Sequence, residues 1–129
     1  MDFELSEEQT MVIQMMRAFT EKEVMPVASK MDHACEFPVA LVGKLGEMGL
    51  MGAFMPEATG GSGMDLLTYV LAMEEISKAW ASLGVIMTVN NSLVCDPIHR
   101  FGNMEQHEKY LKPLAQGKAF KKAWRICPM

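Results

Sequence analysis

An all-α fold, a single helical domain of about five to six helices, is predicted by three observations. Apolar residues recur at spacings of three and four along successive segments. No stretch alternates polar and apolar residues over the length of a strand, and residues that start and stop helices bracket the periodic segments. The 129 residues, half of them hydrophobic, are enough for one domain to bury a core without disulfide or metal staples.

The first helix is announced by Ser6-Glu7-Glu8-Gln9, in which Ser6 can cap the backbone and Gln9 can reach back to the cap. Val12, Met15, Met16 and Phe19 then share one face, widened by Met11 and Ala18. This helix is expected to end near Met25-Pro26, with Val27 to Met31 as a further turn, because proline is tolerated in a helix's first turn and not in its interior. Asp32 to Phe37 reads as a loop, and Pro38 opens a second helix bearing Leu41, Val42, Leu45 and Met48, stopped by Gly49. Leu50 to Met55 is an apolar run too short to assign, buried either way.

A glycine loop, Pro56 to Met64, separates the two halves of the chain, and Asp65 offers a carboxylate to the next helix's unpaired N–H groups. That third helix runs to about Trp80, with Leu67, Val70, Leu71 and Ile76 inward and Glu74 four residues before Lys78 on the outside. A fourth starts at Ser82, carries Val85, Ile86, Val89, Leu93 and Ile98, and is stopped by Gly102. Pro97 inside it must bend the helix or free the carbonyl of Leu93. Asn103-Met104-Glu105-Gln106 is a second capping signature and opens a fifth helix to about Ala115.

Twelve basic against sixteen acidic residues give a net charge of −4, so neither nucleic acid nor an anionic membrane is an expected partner. No apolar run approaches the ~20 residues that span a bilayer. The acidic start, Met1 to Glu8, has neither the pattern of a signal peptide nor that of a transit peptide, and the odd set Cys35, Cys95 and Cys127 points to reduced thiols; the cytoplasm is the expected location. Fourteen methionines suit an adaptable core or an apolar face awaiting a partner.

Four groups of residues could carry chemistry. Gly60-Gly61-Ser62-Gly63 matches no phosphate-binding pattern and reads as an interhelix turn. Cys95 and His99 share a helix face, but two ligands do not make a metal site. Adjacent Glu74 and Glu75 diverge around a helix, which favours an ion pair of Glu74 with Lys78 and a polar contact of Glu75 with another helix. The basic tail bearing Lys118, Lys121, Lys122, Trp124 and Arg125 could touch nucleic acid but reads as a solvated end.

Taken together, several stretches resemble the N-terminal helical domain of the acyl-CoA dehydrogenases, particularly the short-chain or butyryl-CoA type. They are Phe3-Glu4-Leu5-Ser6-Glu7-Glu8-Gln9, Leu45-Gly46-Glu47-Met48-Gly49-Leu50-Met51-Gly52, the loop Pro56-Glu57 to Asp65, Glu74-Glu75-Ile76-Ser77-Lys78, Gly84 to Leu93, and Phe101-Gly102 to Gln116-Gly117. The resemblance covers residues 1–118 and leaves 119–129 as a divergent tail. It implies a full enzyme with a helical domain, a β-domain and a second helical domain. Such an enzyme binds FAD and dehydrogenates an acyl-CoA between its α and β carbons, with a glutamate of the last domain as base. It also implies that Leu83, Ile86, Met87, Asn90 and Leu93 line the wall of an acyl-chain pocket. Core packing is the alternative for each, and suits Leu93 better than polar Asn90.

The missing extra residue that medium-chain relatives carry in this helix implies a shallow pocket and a short-chain acyl-CoA. The sequence departs from the family at Thr59, where an aromatic residue is usual, at Trp80, where a small one is, and at Asn90, commonly histidine. After Gly117 the family's apolar strand and Thr-Glu-Pro segment are replaced by Lys118 to Met129. By this reading the isolated chain holds neither base nor main flavin site and is inactive. The other expectation is a stand-alone helical interaction module, self-associating through its exposed apolar surface.

Overall fold

A computed structural model of the chain describes residues 4–119. Within them, eight α-helical segments join into five rods. The first is α1 (Glu7–Phe19), a π turn (Thr20–Val24) and α2 (Met25–His33). Then come α3 (Val39–Glu47) and α4 (Leu66–Ala79). The fourth rod is α5 (Ala81–Thr88), a π turn (Val89–Cys95) and α6 (Asp96–Phe101); the fifth is α7 (Met104–Gln106), a π turn (His107–Leu111) and α8 (Lys112–Ala115).

Local chemistry sets the rod ends. Ser6 Oγ accepts from the Gln9 N–H at 3.1 Å while Gln9 Oε1 accepts from the Ser6 N–H at 3.0 Å, and Asn103 and Gln106 repeat this reciprocal cap. Asp65 caps α4 through the Thr68 N–H at 3.0 Å and is also bonded by the Thr68 hydroxyl. Gly49, with φ 77°, turns the chain out of α3 in a conformation that favours glycine. The apolar run after it makes a buried 3-10 turn, Leu50–Gly52. The first rod does not end at Pro26: the Met25 N–H donates to Thr20 O, five residues back, and the helix passes through.

The core joins α1, α3, α4, α5 and the Leu50–Gly52 turn through fully buried Met16, Leu45, Leu50, Met51, Ile76, Leu83 and Met87. Burial of each such side chain stabilises by about 1.5–3 kcal/mol. Gly84 lies against the Ser77 side chain, and its lack of a β-carbon lets α4 and α5 pack closely there. A smaller cluster of Met55, Cys95, Leu111 and Ala115 fastens the last rod. At the corner between α4 and α5, Trp80 is extended, and its indole Nε1–H donates to Asp32 Oδ1 at 3.0 Å.

Leu67 and Val70 on α4, expected inside, lie outside, and so do other residues of the apolar pattern: Met11 and Met15 on α1, and Val85, Val89 and Leu93 on the fourth rod. On α4 the buried face is Thr68, Tyr69, Ala72, Glu75 and Ile76. Small Ala72 permits close approach there, and Glu75 meets a partner on α1, so a polar residue turns inward while leucines turn outward. The methionines divide likewise, with Met16, Met51, Met55 and Met87 buried and Met11, Met15, Met25 and Met104 exposed.

Glu75, only 7% exposed, is bonded by Arg17 through Nη2 at 3.0 Å and Nε at 3.2 Å, and by Lys78 at 3.2 Å. Lys78 also pairs with Glu74 at 2.9 Å, so both glutamates take the structural roles expected of them. The hydrogen bonds from Arg17 hold the Glu75 carboxyl below its ordinary value of 4.5. A carboxyl lowered on folding contributes stability that is complete above the unfolded value and lost as pH falls through the folded one. Urea titrations in neutral and acidic buffer are therefore expected to show a smaller acid-induced loss of stability for Glu75→Gln than for the parent chain.

Candidate functional site

The five predicted wall positions fall on one rod but not on one face. Leu83 and Met87 are fully buried in the main core, and Asn90 is 1% exposed. Ile86 is half-buried against the same core, while Leu93 is 69% exposed. Spacings of three and four keep residues together only while the helix is α-helical. From Val89 the backbone widens into a π turn with i→i+5 bonds, so the step from Asn90 to Leu93 covers less of a revolution and carries Leu93 outward.

Asn90 and its neighbour Asn91 are both inside, and they fasten the rod to the Leu50–Gly52 turn. Asn90 Nδ2 donates to Met51 O at 2.5 Å and to Leu114 O at 3.2 Å, and lies 3.6 Å from Cys95 Sγ. Asn91 Nδ2 donates to Leu50 O at 2.8 Å and to Met87 O at 2.9 Å, while its Oδ1 accepts from the Ala53 N–H at 2.7 Å. Asn90 Oδ1 has no partner among the described residues. Asn91 escaped the sequence reading. The available signal was a pair of amides in an otherwise apolar helix facing an apolar turn whose backbone groups needed partners.

Outward, the rod exposes three apolar side chains, Val85, Val89 and Leu93. The Tyr69 hydroxyl lies 3.4 Å from that of Thr88, so the first half of α4, with its exposed Leu66, Leu67 and Val70, runs beside this stretch.

The other candidates serve the fold. Gly60, Gly61, Ser62, Gly63 and Met64 donate their N–H groups to the carbonyls of Glu57, Pro56, Gly52, Met55 and Ala53 respectively. Gly61 lies directly against Met55, so the loop is filled by its own chain and offers no free N–H cradle to a phosphate. Cys95 is fully buried, and loss of solvent pushes its thiol up to about 12, which keeps it protonated and a poor metal ligand. The His99 and His107 rings lie 5.8 Å apart, with His107 Nε2 3.0 Å from Ile98 O. No three His, Cys, Asp or Glu groups converge among the described residues. Lys121, Lys122, Trp124, Arg125 and Cys127 lie outside those residues. No described helix is long and apolar enough to cross a membrane.

The architecture and the sequence agree with known proteins. The family model for the acyl-CoA dehydrogenase N-terminal domain matches residues 6–118. The short-chain specific acyl-CoA dehydrogenase of Bos taurus, named as mitochondrial, is 48% identical over 114 residues, which is 88% of this chain and 28% of that protein. The short-chain specific enzyme of Clostridium acetobutylicum is 44% identical over 117 residues, 91% of this chain and 31% of its own length. The structure of butyryl-CoA dehydrogenase from Megasphaera elsdenii superposes with a TM-score of 0.81 at 35% identity, covering 91% of this chain and 31% of that one. The chain thus spans less than a third of the length of these relatives. With five helical rods in the expected order and a family match from Ser6 to Lys118, the chain belongs to the acyl-CoA dehydrogenase family, as its N-terminal helical domain.

Proposed function

We propose that this domain supplies part of the acyl-chain pocket wall of an FAD-dependent, cytoplasmic dehydrogenase acting on short-chain acyl-CoA. The observation that carries the reading is the exposure of Val85, Val89 and Leu93, apolar side chains on the rod that bears the five wall positions. Leu93 presents its side chain to the acyl chain, and half-buried Ile86 contributes from the edge of the core. Leu83, Met87 and Asn90 act from behind by fixing where the rod sits. Bound FAD would accept the hydride. The glycine loop does not fit the flavin's pyrophosphate, because its N–H groups are already engaged, and no step of the reaction is assigned to it. By itself this domain neither holds FAD nor dehydrogenates acyl-CoA.

A chimera in which residues 1–118 replace the corresponding domain of the Clostridium acetobutylicum enzyme tests the wall. It is expected to bind FAD and to oxidise butyryl-CoA in preference to hexanoyl-CoA. Leu93→Ala is expected to shift the ratio of their kcat/KM values toward hexanoyl-CoA by roughly tenfold, the scale of filling or emptying an apolar pocket by a few methylenes. An unchanged ratio in a flavin-replete chimera would remove Leu93 from the wall.

A second reading, a self-associating interaction module, is favoured by Phe101 and Met104, which are 86% and 75% exposed at the junction of the last two rods. Light scattering of the purified chain decides it: a monomer at high concentration ends that reading.

A further inference from the structure

Three prolines lie inside continuous helical rods, and each is met by the same device. Met25, Asp96 and Lys112 immediately precede Pro26, Pro97 and Pro113. Each donates its N–H to a carbonyl five residues back, on Thr20, Asn91 and His107 respectively. A proline in a helix interior removes a donor and crowds the carbonyl four residues back. Widening the preceding turn by one residue relieves the crowding while the rod continues. Pro38 and Pro56 stand at the starts of α3 and of a 3-10 turn, where no such relief is needed, and no π turn precedes them.

At Pro97 the device acts on the candidate site. Its π turn spans Val89–Cys95, and within it consecutive Asn90 and Asn91 both face inward, Cys95 is buried, and Leu93 faces out. Asn90 reaches Met51 while Asn91 reaches Leu50 and Ala53, so the added residue lets two neighbours bond to successive groups of one turn.

We propose that Pro97 is a positioning residue: by locking the π turn it selects which side chains from Asn90 to Cys95 face the core and which face outward. That Leu93 then meets an acyl chain rests on the preceding reading, whereas the register itself does not. The π turn is equivalent to one inserted residue, so the lock and the insertion can be removed separately.

The test uses the full chain with Cys35→Ser and Cys127→Ser, leaving Cys95 as the sole thiol. In this background Cys95 is expected to react with DTNB no faster than the chain unfolds. Pro97→Ala returns an N–H to position 97 and lets the turn exchange with α-helical register. It is expected to raise Cys95 labelling in native buffer at least about tenfold, with the unfolding rate followed by circular dichroism unchanged. Deleting Ser92 in the Pro97→Ala chain takes out the inserted residue and is expected to restore protection. Pro26→Ala, in another rod, is expected to leave labelling slow. A Pro97→Ala chain that fails to fold but is rescued by the deletion supports the lock equally. Labelling as slow as in the parent, labelling of a folded Pro97→Ala chain that rises only in step with unfolding, or a deletion that does not restore protection would each overturn it. None of these outcomes bears on the acyl-wall reading, which stands or falls with the chimera.

Discussion

Asn91→Ala is expected to lower the stability of the chain by about 4 kcal/mol, because it orphans several buried backbone groups at once. The Ala53 N–H and the Leu50 carbonyl lose their partners, and Met87 O loses a donor. Each buried group left unsatisfied costs about 1–3 kcal/mol, and water has no ready access beside a fully buried side chain. In a domain of this size the loss corresponds to a fall in Tm of roughly 15 °C, measurable by calorimetry. Asn91→Asp keeps an acceptor for the Ala53 N–H but turns a charged oxygen toward two carbonyls, and is expected to be at least as damaging. A loss below about 1 kcal/mol for Asn91→Ala would mean that the Leu50–Gly52 turn is held by packing alone.

Gly52→Ala is expected to cost about 3 kcal/mol for the opposite reason, too much matter where there is no room. A β-carbon at Gly52 would lie 2.5 Å from Ala115 Cβ, 2.9 Å from its Cα and 3.1 Å from its carbonyl oxygen. Two of these three are backbone atoms, which cannot rotate away, so α8 must move off the Leu50–Gly52 turn. Ala115→Gly in the same chain removes the nearest atom and is expected to recover about half of the loss. A double-mutant cycle by urea denaturation measures that coupling. Additive effects would show that the two residues do not compete for the same space.

The fold was legible where the determining chemistry is local. Ser6 with Gln9, Asp65, Gly49 and Asn103 with Gln106 each act within a few residues, and each stands where its type and spacing place it. Pro97 was legible as a disturbance but not as a π turn, since the compensating bond is Asp96 to Asn91, and neither residue type advertises it. Periodicity misplaced Leu67 and Val70 and did not tell exposed Val85, Val89 and Leu93 from their buried neighbours, because α4 and the fourth rod are apolar on more than one side. Spacing identifies an apolar face, but only the neighbouring helices decide which such face they cover. The inversion of Asn90 and Leu93 has the same origin: a buried amide is stable once it finds the carbonyls of Met51 and Leu114, and those lie distant in sequence.

The extended corner at Trp80 gives the domain an optical gauge of its own assembly. The indole is almost wholly enclosed and tied to Asp32 at the end of the first rod, while its backbone forms the break between α4 and α5. Separation of those three elements would wet the ring and release its N–H, moving its emission to longer wavelength. Among the described residues it is the only tryptophan. Its spectrum, with Trp124 replaced, therefore reports whether the first rod is docked against the helices that carry the candidate wall.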